Sequence, residues 1–398
     1  MGNLRVLIAG GGIGGLTAAL SLAHSGCQVT VFEQATEFAE VGAGIQLSPN
    51  ATRVLHHLGL EDALRASAFL PQGTQFRHWR RGNVISESTL GDDVLSRYGA
   101  PYYHIHRGDL MATLVDAARA HPGVELLPGV AVNGFDETPE GVCVTTTDAS
   151  YAGDVAVGAD GIHSSIQAAL WGQQAPRFTG NVAWRALVPT ASLPANLIRP
   201  LSTVWWGPGK HFVHYYVRSG EWVNCVCVVE KSGWQIESWT QQGDFDELRQ
   251  DFAGWHTDIQ QLLDAMDKTQ LYKWALFDRM PMPQWGKGRV TLLGDACHPT
   301  LPFMAQGAAM AIEDAAVLAG CLHQVDDIAA ALQRYENLRR ARTAGIQAGS
   351  RRNARVFHLT GVPAWLRNRA AKRAGGRAMD ELYRYDALKA AAEGGPNS

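Results

Sequence analysis

The sequence predicts an α/β protein: a parallel sheet begun at the N-terminus, a β-rich insertion, and helices at the C-terminal end. Three observations lead there. Residues 4–34, "LRVLIAGGGIGGLTAALSLAHSGCQVTVFEQ", run strand, glycine turn, helix, strand and acid in order. The runs "HFVHYYVR" and "WVNCVCVVE" are β-rich and separated by "SGE", a hairpin signal. The stretch from about 308, and much of 334–377, read as helix.

Composition sets the frame. The chain has 398 residues, enough for two domains or sub-domains, with 46% hydrophobic and 18% charged residues as in an ordinary globular protein. A net charge of −3 directs nothing toward nucleic acid or a membrane surface. No apolar run reaches the roughly 18 residues a spanning helix needs, and the opening residues lack the form of a signal peptide. The six cysteines contain no Cys-x-x-Cys pair; they read as reduced thiols of a cytoplasmic protein, with no metal site expected.

The N-terminal elements come first. Residues 4–9 form the strand. Gly10, Gly12 and Gly15 fit G-x-G-x-x-G, with Gly14 in the same turn. Gly10 permits the tight turn, Gly12 lets backbone approach a pyrophosphate, and Gly15 lets helix and strand pack closely. Residues 16–25 form an Ala/Leu helix and 29–32 the second strand. Glu33 then falls about 20 residues on, where a carboxylate accepts ribose hydroxyls. This ordered set predicts a Rossmann-like dinucleotide site. At 290–316 a buried strand runs into Gly294 and Asp295, two prolines and Gly307, and then a helix begins with almost no side chains.

These motifs carry a resemblance. The glycine turn with Glu33, "VGADGIHS" at 157–164 and "LLGDACHPTLPFMAQGAAMAIEDA" at 292–315, joined by "VGAGIQLSPNA" at 41–51 and "HRGDL" at 106–110, resemble the single-component class A flavoprotein aromatic hydroxylases across nearly the whole chain. The sequence looks most like the salicylate hydroxylase, 3-hydroxybenzoate 6-hydroxylase and 6-hydroxynicotinate 3-monooxygenase group. The resemblance implies the aromatic-hydroxylase fold: a Rossmann-like FAD-binding domain from 1–75, 100–180 and 280–345, an inserted mixed β-sheet substrate domain from 76–99 and 181–279, and a C-terminal helical segment and tail over 346–398. It implies that Asp295, after Gly294, holds the FAD ribityl chain. Gly307, Ala308, Ala309 and Met310 would present backbone N–H groups to the flavin, where a helix start suits the negative charge of the reduced ring. Val41, Gly42 and Ala43 would run along the isoalloxazine, Arg107 would contact the FAD side of the cleft, and Asp160 would serve FAD and a passing nicotinamide. The FAD would be non-covalent, since no histidine or cysteine stands out for attachment.

The implied reaction uses NADH or NADPH, with NADH favoured, as transient reductant, and O₂. A flavin 4a-hydroperoxide then hydroxylates a small phenolic aromatic acid, and the protein is a monomer or homodimer. On one strand His211, Val213, Tyr215 and Val217 share a face; His211 and Tyr215 match pocket-lining positions of the group, His211 as the phenol's acid–base partner and Tyr215 beside it. Gln46, Arg185, Pro302 and Phe303 complete the expected substrate pocket, with Arg185, His214 and Arg218 all open for the substrate carboxylate. Phe303 stands where the 6-hydroxynicotinate enzymes carry histidine, Pro302 where the 3-hydroxybenzoate enzymes carry glutamine, and Gln46 where the former carry histidine. The more apolar floor favours salicylate, giving catechol with loss of CO₂. The alternatives are gentisate from 3-hydroxybenzoate and hydroxylation of 6-hydroxynicotinate. Two further readings stay open: a nicotinamide-dependent dehydrogenase and a flavin-binding sensor. The twelve basic residues against one acid in 334–377 read as a solvated helical face.

Overall fold

The structure is a computed structural model that describes residues 4–38, 43–231, 233, 241–374 and 379–393. Its first layer is a five-stranded parallel sheet in the order Val290–Leu292, Val155–Gly158, Arg5–Ala9, Gln28–Glu33, Val124–Pro128. Arg5–Ala9 is central and buried after its first residue, as expected of a parallel strand covered on both faces. The helix Ile13–His24 follows it and packs against Arg107–Ala120 and Gly307–Gln324. Gly14 makes the second of these contacts possible. A Cβ there would come within 2.7 Å of Leu293 and 3.1 Å of Ala311.

The second layer is a seven-stranded sheet in the order Tyr272–Asp278, Arg177–Pro189, Trp222–Glu230, Lys210–Val217, Leu201–Gly207, Gly73–His78, Val84–Thr89. It is mixed: Leu201–Gly207 pairs parallel with Gly73–His78, and the other neighbours are antiparallel. Strand alternation gives it two apolar faces. One carries Trp184, Trp205, Phe212, Cys225 and Cys227, and is covered by Phe245–Asp251 and Thr257–Asp264. The other carries Ala183, Val228, Trp274 and Leu276, and meets Leu301, Phe303 and Ala354. The short pair Gly44–Leu47 and Tyr103–His106 joins the layers. Gly44 N–H donates to Asn224 Oδ1 at 2.7 Å, and a Cβ at Gly44 would collide with Tyr215 and Asn224.

Two readings of the C-terminal part are corrected. No break falls at 345/346, because one helix runs Ile328–Phe357. Its basic residues are not all solvated. Ala331, Tyr335, Arg339, Thr343, Gln347, Ser350 and Ala354 form a buried stripe at helical spacing, and much of that stripe is polar. Arg339 is fully buried and pairs with both Glu313 and Asp314 at 2.7 Å. Arg342 adds a 2.8 Å pair to Glu313. The last described element is the helix Ala387–Glu393, and 394–398 lie outside the described residues.

Burial raises the Glu313 and Asp314 carboxyls, but their cationic neighbours outweigh it and hold both below the ordinary range. This stabilisation is present above a carboxyl's unfolded value of about 4 and fades as pH falls through the lowered folded values. Arg339→Met removes the guanidinium that two buried carboxylates share, leaving Glu313 to Arg342 and Asp314 to His298, and should cost roughly 3–5 kcal/mol. Arg340→Met, at a half-exposed guanidinium whose buried partner Glu336 keeps the Trp285 and Gly286 N–H groups, should cost below about 1 kcal/mol. Urea unfolding followed by circular dichroism checks both; equal losses would deny the buried pair its role.

Candidate active site

A cavity of about 740 Å³ lies between the two layers. Gly10, Gly12, Gly14, Glu33, Asp160, Asp295, Gly307 and Ala308 line it from the parallel-sheet side. Arg185, His211, Val213, Tyr215 and Trp274 line it from the mixed sheet, with Gln46 and Arg107 between.

Two helices begin at its wall. Neither Ile13–His24 nor Gly307–Gln324 has a side-chain N-cap, so their first-turn N–H groups remain for a ligand. Gly10 sits at φ +102°, and a Cβ there would strike the Ala159 carbonyl; a Cβ on Gly15 would meet Gly10 O at 1.9 Å. Gly12 differs. A Cβ there would meet nothing within 4 Å, so protein packing does not demand glycine at this position, whereas a bound group lying on that backbone would. The cradle therefore fits a dinucleotide pyrophosphate. At the strand end, Glu33 accepts N–H groups from Gly11 and Ala35, both at 2.9 Å, which fixes its carboxylate at the cavity wall.

The second cradle follows strand Val290–Leu292. Gly294 turns at φ +65° and donates its N–H to Asp314 Oδ2 at 3.1 Å. That turn leaves Asp295 open to the cavity. The surrounding protein pushes the Asp295 carboxyl up, while His298 and Arg107 pull it back. Arg107 begins its helix, and its backbone N–H donates to Ala43 O at 2.8 Å. Ala43 is buried; Val41 and Gly42 lie outside the described residues. Two expectations change here. Met310 N–H is spent on Gln306 O at 2.8 Å, one turn into the helix. Ala309 is buried behind Gly307 and Ala308, which alone of the four line the cavity. Asp160 lines the cavity, and its Oδ2 holds the start of helix Ser165–Trp171 through Ser165 N–H and Oγ.

On the sheet side, His211, Val213 and Tyr215 line the cavity as alternate residues of one strand. His214 is on the opposite face and accepts Trp205 Nε1–H at 3.0 Å. Arg218 is held by Asp109 at 2.8 Å. Of the three carboxylate candidates only Arg185 reaches the cavity, its guanidinium 4.3 Å above the Trp274 ring. Burial first, then Arg107, lowers Arg185 to about 10, so it stays cationic at neutral pH. Burial raises the Tyr215 phenol well above its ordinary value and keeps it protonated. Gln46 lines the cavity with its amide engaged at both ends, to Ser202 Oγ at 3.0 Å and from Tyr102 O–H at 2.7 Å. Pro302 lines it too, but Phe303 does not: it packs behind His211, ring centres 5.1 Å apart.

Several residues that shape the site escaped the sequence reading. Trp274 supplies its aromatic wall, whereas Trp205 belongs to the far core. Glu313 and Asp314 fix the Gly294–Gly307 loop; two adjacent acids inside an otherwise apolar helix were the available signal. His298 is buried, with Nε2 2.5 Å from Asp314 Oδ2. Cys297 lies beside them, but burial pushes its thiol up and Asp314 is already paired with Arg339, which makes the cluster an ion-pair anchor.

A glycine turn and a second bare helix start, with Glu33 and Asp295 on the wall of one cavity, are an arrangement that suits a flavin dinucleotide. The chain belongs to the FAD-binding-domain family, whose model, described as "FAD binding domain", matches residues 3–350. It is 42% identical over 361 residues to a 3-amino-4-hydroxybenzoate 2-monooxygenase of Streptomyces platensis, covering 90% of each chain. It is 38% identical over 384 residues to the 3-hydroxybenzoate 6-hydroxylase of Klebsiella oxytoca, covering 96% of this chain and 95% of that one. A salicylate hydroxylase solved as a substrate complex matches with TM-score 0.82 and 27% identity, over 100% of this chain and 99% of that one. The resemblance to flavoprotein aromatic hydroxylases therefore stands, and FAD is the cofactor. Among the described residues no helix is long and apolar enough to cross a membrane.

Asp295→Ala should weaken FAD retention by roughly 1–3 kcal/mol through lost acceptors. Fluorescence titration of the apoprotein with FAD measures it; an unchanged dissociation constant would take Asp295 out of the cofactor site.

Proposed function

We propose that this FAD-dependent monooxygenase hydroxylates a monocyclic phenolic acid, with His211 facing the phenol, Arg185 the carboxylate, and Trp274 and Tyr215 the ring. Bound FAD, once reduced by NADH or NADPH, would activate O₂, from which the transferred oxygen atom comes. The protein's part is to orient the ring, exclude water and move the phenol proton. The observation that carries this reading is the convergence of a neutral histidine and a cationic guanidinium on one cavity whose floor is otherwise apolar. Burial, reinforced by His358, holds His211 well below its ordinary value, so its free nitrogen is a proton acceptor at neutral pH. The division of the chain follows the sheets: the parallel layer serves FAD and the mixed sheet serves the substrate.

Salicylate, the substrate expected from the sequence, is supported by the apolar floor around Pro302 and Leu301. The 42% identity to a 3-amino-4-hydroxybenzoate enzyme supports a second reading, an amino-hydroxybenzoate. A panel of salicylate, 3-hydroxybenzoate, 6-hydroxynicotinate and 3-amino-4-hydroxybenzoate separates them by oxygen uptake and product mass. Salicylate would yield catechol and CO₂, whereas the aminated acid would keep its carboxylate and gain one oxygen. No stimulated oxygen uptake with any phenolic acid would refute the proposal.

His211→Ala should retain FAD, because its strand belongs to the mixed sheet. Hydroxylation should fall by about 10²–10⁴, the usual worth of positioned acid–base help, with reductant oxidation continuing to hydrogen peroxide. Fully coupled product formation by this variant would remove His211 from the chemistry.

A further inference from the structure

We infer that His211, His358 and Glu230 form a proton path from the cavity to solvent, with His358 and Glu230 as positioning residues that orient His211 and pass its proton on. The inference rests on the reading that a phenol lies against His211. His211 Nδ1 is 2.8 Å from His358 Nε2, and His358 Nδ1 is 2.8 Å from Glu230 Oε1. The His358 side chain is 2% exposed and that of Glu230 54%. The path thus begins at the cavity wall, crosses one buried ring and ends in water. It is held rigidly. Gly209 N–H donates to the His358 carbonyl, and Gly209 O accepts Glu230 N–H at 2.9 Å. Phe303 and Phe357 flank His211 with ring centres at 5.1 and 5.3 Å.

The exposed end sets the direction of every bond. A carboxylate only accepts, so His358 Nδ1 carries hydrogen and donates to Glu230. In the neutral ring Nε2 is then an acceptor, so His211 Nδ1 must donate to it. That leaves the lone pair of His211 on Nε2, the nitrogen not engaged with His358. Both rings are kept neutral chiefly by burial; His358 lowers His211 further, while Glu230 opposes and Arg367 assists the lowering of His358. Among the described residues these are the charged and titratable groups that face the two rings.

The steps balance. The phenol O–H breaks at His211 Nε2 and its electron pair stays on the phenolate oxygen. The Nδ1 proton of His211 passes to His358 Nε2, the Nδ1 proton of His358 passes to Glu230, and the carboxyl releases it to water. Once the ring carbon has gained its oxygen, the ring carbonyl takes a proton back from His211 Nε2 while that carbon gives up H⁺ to water, or its carboxylate as CO₂, and the electron pair of the broken bond restores the aromatic ring. The chain then refills from water through Glu230.

Two measurements on the FAD-loaded protein test this. In ¹⁵N-histidine spectra, with His211→Asn and His358→Asn as assignment variants, both rings should carry hydrogen on Nδ1; an Nε2–H tautomer of either overturns the path. The second measurement uses 4-hydroxy-3-nitrobenzoate, whose colour reports phenol ionisation, in temperature-jump relaxation. His358→Phe and Glu230→Ala should each slow relaxation of the bound probe by about tenfold or more, with probe affinity read from the flavin spectrum nearly unchanged. Added acetate should restore the rate in Glu230→Ala, a rescue that a purely structural role would not give. Unchanged relaxation in either variant overturns the path. If no phenolic acid perturbs the flavin spectrum, the substrate reading fails, while the tautomers still decide the polarity of the chain.

Discussion

The geometry of the site depends on one buried ion-pair network. Glu313 and Asp314 are adjacent on a helix with no solvent around them, and Arg339 from the next helix bridges both. Isolated charges in such a place would cost several kcal/mol each, so the sequence must bring the partners together or not fold. The network reaches further than the pair. Asp314 also takes the Gly294 N–H and His298, which fixes the turn that aims Asp295. Glu313 takes Asn50, whose amide also reaches Gln306, the residue before the bare helix start. Both ends of the Gly294–Gly307 loop therefore hang from two neighbouring carboxylates.

The two layers divide the chemistry by the kind of group they offer. The parallel sheet presents backbone N–H groups at helix starts, together with carboxylates, which suit phosphate and sugar. The mixed sheet presents side chains on alternate residues, which suit a flat ring with few polar points. His211 stands on the second layer, yet its far nitrogen is held by His358, just past the end of the long helix. The Gly44–Asn224 bond and the missing side chain of Gly44 keep the layers at close range. A small shift between them would separate His211 and Arg185 from the glycine cradles.

Much of this was legible in the chain. The glycine turn, Glu33, the Gly294–Asp295 turn and the face shared by His211, Val213 and Tyr215 are local constraints: positive φ, close backbone approach, and the two-residue period of a strand. Such features need only their sequence neighbours. The misreadings were of another kind. The stripe of the helix Ile328–Phe357 has helical spacing but carries Arg339, Gln347 and Ser350, so hydrophobic patterning made it a solvated face. Phe303 was placed in the pocket from its position in a motif, yet it packs behind His211.

The sequence by itself determined the dinucleotide cradle, the fold class and which strand face carries a histidine, because backbone sterics and periodicity act over a few residues. Tertiary structure alone decided which charges are buried and which ring touches which. Arg339 lies 25 residues from Asp314, and His358 lies 147 from His211. Whether a polar side chain at such a distance meets water, a carboxylate or another imidazole is settled by packing, and packing reverses the meaning of its charge.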